Sequence, residues 1–164
     1  MARRVFYSFH YKPDSWRASQ VRNMGVIEGN RPVSDNDWEE ITGAGDRAIE
    51  KWIADQMDGK SCAVVLIGAN AAGRKWINYE IIKSWNDKKG VLGIYIHNLQ
   101  DSGGKQSTKG RNPFDDITVG KTTSLSKIVK AYDPPSYVST YVYNHIKENL
   151  PGWVDEAIRI RDNY

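Results

Sequence analysis

The chain has 164 residues, of which 40% are hydrophobic and 26% charged, and its formal net charge at pH 7 is +3. This length suits one domain, and the composition is that of a globular protein rather than a disordered one. The mild positive charge is compatible with a small polyanionic ligand and too weak to indicate nucleic-acid binding. We therefore expect a single domain over residues 1–164 that does not bind DNA or RNA.

The N-terminal residues and the cysteine content indicate the cellular setting. Residues 1–5 lead directly into a strand-like run without the apolar stretch of a signal peptide, and no apolar run approaches the length of a membrane span. Cys62 is the one cysteine and the three histidines are scattered, so the sequence predicts neither a disulfide nor a metal site. We expect a cytoplasmic protein that does not bind a membrane or a metal.

The predicted elements alternate between strands and helices. The strands, recognised from β-branched and continuous apolar runs, are expected at 4–9, 26–27, 62–67, 91–96 and 128–132. The helices, recognised from helical apolar spacing and capping residues, are expected at 14–22, 46–58, 74–87, 136–149 and 151–161. Asp14 or Ser15 is expected to cap the first helix and Asp46 the second, Pro151-Gly152 separates the last two, and 25–42 is otherwise predicted as loop.

This alternation predicts the fold class. Strands joined by single helices with short turns form βαβ crossovers, and hence an open parallel sheet with helices on both faces. A flavodoxin-like strand order is the natural expectation, and such sheets bind ligands beyond the carboxyl ends of their strands. Two segments leave strands in that zone, Ser8–Tyr11 and Gly68–Glu80. The search for a site narrows to them.

Trp76 and Glu80 are the first candidates for chemistry. At a spacing of four on one helix they lie one turn apart, beside the apolar stripe of Ile77 and Ile81. An indole beside a carboxylate at the rim of a buried face can raise the pKa of the acid or hold its charge against a developing cation. The alternative is a solvated glutamate paired with Lys83 and a tryptophan used for packing, and spacing alone favours that alternative.

The segment Ser8-Phe9-His10-Tyr11 is the second candidate. A strand end followed by a polar turn and a helix start can present backbone N–H groups to phosphate. His10 could act as an acid or base, although a loop histidine without a partner is more common. No glycine-rich dinucleotide fingerprint, Walker sequence or Ser-His-Asp arrangement is present, and Gly43–Asp46 favours a plain helix start over a phosphate-binding turn.

Seven short motifs follow one another in a specific order. They are Arg4–Tyr11, Val21-Arg22-Asn23, Trp38-Glu39, Gly45-Asp46, Val65–Gly68, Arg74–Ile81 and Lys109–Asp115. In this order they resemble the TIR-like subunit of bacterial Thoeris anti-phage defence systems, the ThsB type. The resemblance covers residues 4–115, and 116–164 are expected to form a C-terminal helical portion of the same domain.

The resemblance implies a TIR-like, three-layer flavodoxin-type fold with NAD⁺ as substrate and no separate cofactor. The glutamate of the Trp-x-x-x-Glu helix is catalytic in that family, and it falls on Glu80. Trp76 would form the wall on the nicotinamide side of the pocket. The residues implied for substrate binding are Ser8, Phe9, His10, Tyr11, Asn36, Trp38 and Trp76.

The resemblance also implies an activity and partners. Such an enzyme cleaves NAD⁺, as a glycohydrolase or an ADP-ribosyl cyclase, and yields a cyclic ADP-ribose isomer, a related conjugate or ADP-ribose. The product activates a defence effector protein on phage infection, and self-assembly or a phage-derived activator could switch the enzyme on. Three other readings stay open: a catalytically silent scaffold, a nucleotide sensor without turnover, and a nucleoside-processing transferase or hydrolase.

Overall fold

A computed structural model describes residues 3–164, apart from the side chains of Asp35 and Asn36. The strands are β1 (Arg4–Ser8), β2 (Glu28–Gly29), β3 (Cys62–Ile67), β4 (Gly90–Tyr95), β5 (Thr118–Val119), β6 (Thr123–Ser124) and β7 (Ala131–Tyr132). The helices are α1 (Tyr11–Arg22), α2 (Asp35–Gly43), α3 (Asp46–Met57), α4 (Lys75–Asn86) and α5 (Ser139–Asp162).

Five of the strands form one parallel sheet in the order β2-β1-β3-β4-β7, and β5 and β6 pair separately as a short antiparallel hairpin. This is the flavodoxin-like order, so the predicted fold class is confirmed. The chain runs outward from β1 to β2 and then crosses back to β3 on the other side of β1. The carboxyl ends of β1 and β3 therefore mark the switch point at which such sheets bind ligands.

Helices cover both faces of the sheet, as the three-layer prediction requires. On one face, Ile146 and Leu150 of α5 pack with α1 against Val64 and Leu92. On the other face, α4 packs against the alternate residues of β3 and β4, and α3 packs against Phe6 of β1. Every residue of β3 and β4 is buried as a result, which explains their continuous apolar sequences.

Cys62 begins the central strand β3 and is fully buried. Burial raises the pKa of the Cys62 thiol, which keeps the sulfur protonated and unreactive. Cys62 is a free cysteine, as expected for the one cysteine of the sequence.

Helix α1 begins earlier than predicted. Tyr11 is its first residue, so Asp14 lies inside the helix and is not its cap. Pro13 is tolerated in the first turn because the N–H groups there have no partner within the helix. The backbone N–H of Asp14 already donates to the His10 carbonyl at 3.1 Å. The Asp14 side chain is buried instead, and its carboxylate lies against Gly68, where a Cβ would come within 2.1 Å of Asp14 Oδ2.

The loop prediction for 25–42 was wrong over residues 35–42, which form most of α2. The Ser34 hydroxyl caps this helix by accepting a hydrogen bond from the Asp37 N–H at 3.1 Å. The cap assigned to Asp46 was also wrong, because Gly45, whose positive φ of 96° favours glycine, occupies the cap position of α3. Asp46 lies in the first turn and pairs with Lys75 at 2.6 Å.

The predicted break at Pro151 does not occur, because α5 is one helix of 24 residues that includes Pro151. Its buried positions keep helical spacing on both sides of the proline, so packing on the sheet outweighs the lost hydrogen bond. These positions are Val142, Ile146, Leu150, Val154 and Ala157. None of the helices in the described part of the chain combines the length and apolar character needed to cross a membrane.

Candidate functional site

A cavity of about 620 Å³ opens at the carboxyl end of β1, at the switch point of the sheet. Strand β1, the α1 helix, the segment after β2, and helices α2, α3 and α4 all contribute to its wall. The lining residues are Tyr7, Phe9, His10, Tyr11, Lys12, Ser15, Ser19, Arg22, Asn23, Asn30, Arg31, Pro32, Val33, Trp38, Trp52, Ile53, Arg74, Lys75, Trp76, Ile77 and Glu80.

Glu80 is more deeply buried than its rim position on the helix predicted, with 7% of its surface exposed. The hydroxyl of Ser8, the last residue of β1, donates to Glu80 Oε1 at 2.7 Å. Burial raises the pKa of Glu80 to about 8, and the Ser8 hydrogen bond opposes this rise because it favours the carboxylate. The solvated alternative does not occur, since Lys83 pairs with Asp87 at 2.9 Å instead.

The position of Glu80 follows from the packing of α4. Ile77, Ile81 and Trp85 anchor one face of the helix in the core, and Glu80 lies beside that face at the end of β1. The Ser84 hydroxyl donates to the Glu80 carbonyl at 2.7 Å, which adds a local contact within the helix. The carboxyl group is therefore held by rigid elements before any ligand arrives.

Trp76 lines the same cavity one turn before Glu80. The Lys75 ammonium lies 4.9 Å from the centre of the indole, and the Tyr79 ring meets it edge-on at 5.4 Å. These contacts orient the indole and leave it half-buried, with its surface available as a flat wall.

A row of aromatic rings extends from the end of β1 to α3. The ring centres of Phe9 and Tyr11 are 6.0 Å apart, those of Tyr11 and Trp38 are 4.9 Å apart, and those of Trp38 and Trp52 are 5.8 Å apart. Trp38 reaches this row because α2 is a helix. Asn36 was also predicted to bind the substrate, but its side chain lies outside the described part of the structure.

Trp52 lines the cavity although the sequence pointed only to a core position. It belongs to the apolar face of α3 with Ile49 and Ile53, and it packs edge-on against Phe6 at 6.5 Å. Nothing in the helical spacing distinguishes a core tryptophan from one that also faces a cavity.

His10 forms the cap residue of α1 and lines the cavity. Its Nδ1 atom is buried and has no hydrogen-bond partner among the described residues. Burial lowers the pKa of His10, and the nearby Arg74 guanidinium lowers it further. The site therefore holds a neutral imidazole at neutral pH, which can donate or accept a hydrogen bond.

The described lining of the cavity is strongly cationic. Glu80 is the one acidic residue among the lining residues that the structure describes, against five basic ones. The basic residues, which the sequence did not single out for binding, are Lys12, Arg22, Arg31, Arg74 and Lys75. Within residues 3–164 as described, no cluster of three or more His, Cys, Asp or Glu side chains suits a metal ion. The excess of basic side chains in the described lining suits an anionic organic ligand.

A flavodoxin-like sheet with a Trp-x-x-x-Glu helix at its switch-point cavity defines a protein of the TIR-like class. The family model described as "Thoeris protein ThsB, TIR-like domain" matches residues 6–101, more than half of the chain. A relative from Bacillus cereus (strain MSX-D12), named "Putative cyclic ADP-D-ribose synthase ThsB1", is 36% identical over 120 residues. The aligned part covers 70% of this chain and 62% of that relative, so this chain spans less than two thirds of the relative's length. The chain belongs to the ThsB family of TIR-like proteins.

Proposed function

We propose that this chain cleaves the nicotinamide–ribose bond of NAD⁺ and releases a cyclic ADP-ribose-type product or a related form of ADP-ribose. The observation that carries the proposal is the buried Glu80 carboxyl group beside Trp76 in the switch-point cavity. The name of the Bacillus cereus relative, "Putative cyclic ADP-D-ribose synthase ThsB1", supports the product class.

The cavity suits a dinucleotide in size and charge. Its volume of about 620 Å³ lies within the range of small-molecule sites, roughly 300–1,000 Å³. The diphosphate of NAD⁺ needs cationic partners, which the basic lining supplies, and its two bases need flat walls, which the aromatic row and Trp76 supply.

Glu80 would change its protonation state when NAD⁺ binds. Its pKa of about 8 in the protein alone keeps much of Glu80 protonated at neutral pH. The nicotinamide ring of NAD⁺ carries a positive charge, and a positive charge beside a carboxyl group lowers its pKa. Substrate binding therefore produces the carboxylate where it is needed and releases a proton to solvent.

The bond would break heterolytically. The electron pair of the C1′–N bond leaves with nicotinamide, which becomes neutral, and the ribose carbon becomes an oxocarbenium-like cation. The Glu80 carboxylate stabilises that cation, and Trp76 holds the leaving ring. Attack at C1′ by water gives ADP-ribose, whereas attack by a hydroxyl or adenine nitrogen of the same molecule gives a cyclic product. The proton of an attacking O–H or N–H group passes to solvent, which balances the step.

Ser8 would orient the reacting carboxylate. Its hydroxyl occupies one lone-pair direction of Oε1 at 2.7 Å, so the other carboxylate oxygen remains for the ribose.

We further propose that the released nucleotide acts in the cytoplasm as a messenger that activates a defence effector protein during phage infection. Self-assembly or a phage-derived activator would then control turnover.

The test is nicotinamide release from NAD⁺, with mass spectrometry of the remaining nucleotide. Glu80→Gln keeps the shape of the side chain and still accepts the Ser8 hydrogen bond, but it cannot become anionic. We expect its rate to fall by at least about 100-fold. Glu148→Gln on the exposed face of α5 is the matched control, with the wild-type rate expected. Equal rates for Glu80→Gln and wild type would contradict the proposal.

The same measurements separate the other readings. No release from the purified protein or from infected cells, together with tight binding of ADP-ribose, would indicate a nucleotide sensor. No release and no binding would indicate a scaffold that signals by assembly. Turnover of free nucleosides would indicate a nucleoside-processing enzyme.

A further inference from the structure

The cavity extends to both faces of the sheet around the end of β1. Side chains of consecutive strand residues point to opposite faces. Ser8 therefore points toward α4 and bonds Glu80, whereas Tyr7 points toward α1. At the α1 end of the cavity Tyr7 meets Arg22 and Asn30, and we call these three residues the Arg22 cluster.

Tyr7 has an unused polar group in this cluster. Only 3% of the residue is exposed, yet its hydroxyl has no hydrogen-bond partner among the described residues. Burial raises the pKa of Tyr7 to about 12, so the hydroxyl is neutral and able to donate. Gly29 makes room for the ring, because a Cβ there would lie 2.4 Å from Tyr7 Cε2. The ring is therefore held in place by the neighbouring strand.

Arg22 brings a positive charge that no described carboxylate neutralises. Its guanidinium lies 5.3 Å from the centre of the Tyr7 ring and donates to the backbone and side-chain oxygens of Asn30. Its Nε atom is buried without a partner among the described residues. Burial disfavours the guanidinium charge and lowers the pKa of Arg22, and an anion would offset that cost.

Asn30 holds the cluster together from the β2 side. The Asn30 side-chain oxygen accepts from the Tyr7 backbone N–H at 2.9 Å, and the Asn30 backbone N–H donates to the Val5 carbonyl at 3.1 Å. With the oxygen occupied, its NH₂ group supplies donors only. The cluster therefore offers hydroxyl, guanidinium and amide donors on one rigid framework, and Arg31 adds a second guanidinium to the lining beside it.

We infer that the Arg22 cluster binds a phosphate group of the nucleotide. A phosphate carries several acceptor oxygens and negative charge, which match a set of donors with an unneutralised cation. The cavity then has an acidic end at Glu80 for a cationic ring and a basic end at Arg22 for the phosphate. The inference deepens the proposed function and rests on it for the identity of the ligand as a nucleotide.

A purely structural role for Arg22 makes a different prediction. As the last residue of α1 it could serve only to hold the segment after β2 through Asn30. Its replacement would then lower stability without a specific effect on ligands that carry phosphate. Tyr7→Phe separates the two roles, since it keeps the ring and removes a hydroxyl that bonds no described residue.

The experiment is calorimetric titration of ADP-ribose, AMP and adenosine into wild type, Arg22→Gln, Tyr7→Phe and the exposed control Arg159→Gln. We expect wild type to bind ADP-ribose more tightly than adenosine. Arg22→Gln should weaken ADP-ribose binding at least about tenfold and leave adenosine unchanged. Tyr7→Phe should weaken ADP-ribose binding about threefold or more with no fall in Tm, and Arg159→Gln should match wild type. The AMP titrations show which phosphate is bound.

Three outcomes would overturn the inference: wild type that binds no ADP-ribose, Arg22→Gln and Tyr7→Phe variants that bind it like wild type, or equal losses for ADP-ribose and adenosine. None of these measurements needs the nicotinamide bond to break. A protein without nicotinamide release but with Arg22-dependent ADP-ribose binding would refute the enzyme and keep the phosphate site. An Arg22→Gln variant that releases nicotinamide and binds ADP-ribose with unchanged affinity would support the enzyme and refute the phosphate site.

Discussion

Glu80 is an energetically unfavourable residue at the place where it lies. The folded protein removes its carboxyl group from water and gives it one described side-chain donor, the Ser8 hydroxyl, in return. A carboxylate in such surroundings is less stable than the protonated acid, which is why its pKa lies near 8. Buried carboxyl groups with a raised pKa of this kind are frequent at functional sites, and the proposed function gives this one a use, because its charge would form when a cationic ring binds.

Replacing Glu80 with glutamine should therefore stabilise the protein in a pH-dependent way. The pKa of Glu80 is about 8 in the folded state against 4.5 for a free glutamate, so its favourable contribution is complete below pH 4.5 and is lost as pH rises toward 8. Glutamine does not titrate. From about pH 5 to above pH 8, the stability of Glu80→Gln relative to wild type should rise by about 1–4 kcal/mol. Urea unfolding at both pH values measures this, and a constant difference would contradict it.

Under the proposed function, the Ser8 hydrogen bond should set the pH at which NAD⁺ cleavage begins. Because that bond favours the carboxylate, Ser8→Ala should raise the pKa of Glu80 further. The acid limb of the kcat/KM profile for nicotinamide release should move upward by about one pH unit. Ser102→Ala, in an exposed loop, should leave the profile unchanged. A Ser8→Ala enzyme that loses rate equally at all pH values would argue against this role.

The site could be predicted from the sequence only in part. A spacing of four places Trp76 and Glu80 on one side of a helix, and strand ends of a parallel sheet point to Ser8. The Ser8–Glu80 bond joins residues 72 positions apart, and it depends on how α4 packs across the sheet. Arg22 gave no signal beyond its motif, because a basic residue in the last turn of a helix is common.

At the scale of elements, the local sequence pattern was sufficient to predict a helix or strand where the tertiary packing favours the same structure. The strands β3 and β4 and the helices α3 and α4 have strong apolar patterns and lie close to their predicted positions. Helix α2 has only a serine cap to mark it, and α5 contains a Pro-Gly pair that locally predicts a break. Tertiary contacts decide both cases, and a local pattern cannot include them.

Two glycine substitutions should have opposite effects for the same reason. Gly152 lies inside α5, exposed, with nothing within 4 Å of an added Cβ, so Gly152→Ala should stabilise by about 0.5–1 kcal/mol. At Gly90, where β4 passes beneath α5, a Cβ would lie 2.8 Å from the backbone nitrogen of Ile158. Gly90→Ala should therefore destabilise by about 1–3 kcal/mol. Urea unfolding measures both, and two changes of the same sign would refute the argument.

The sheet is shared by the packed layers on its two faces, so the molecule should unfold as one unit. The alternation of strands and helices was enough to predict this architecture, because parallel strands need covering helices on both faces. The extent of the domain over 1–164 stays a prediction. The path of the chain after β4 was less predictable, since β7 has only two residues and polar segments surround it.

Core substitutions on opposite faces of the sheet test whether the molecule unfolds as one cooperative unit. Leu150 of α5 and Ile81 of α4 are both fully buried, on different sides of the sheet. Leu150→Ala and Ile81→Ala should each lower the free energy of unfolding by about 2–5 kcal/mol. In each variant the urea midpoints from tryptophan fluorescence and far-UV circular dichroism should coincide. Separate midpoints in either variant would show that the two layers unfold independently.

The outermost strands of the sheet, β2 and β7, have only two residues each. An exposed strand edge is a template on which a second chain can add its own backbone, and proteins avoid aggregation by shortening it. Edges this short offer few free N–H and C=O groups for such pairing. Contacts between copies of this chain in a crowded cell are therefore expected to use side chains and not to extend the sheet from one molecule to the next.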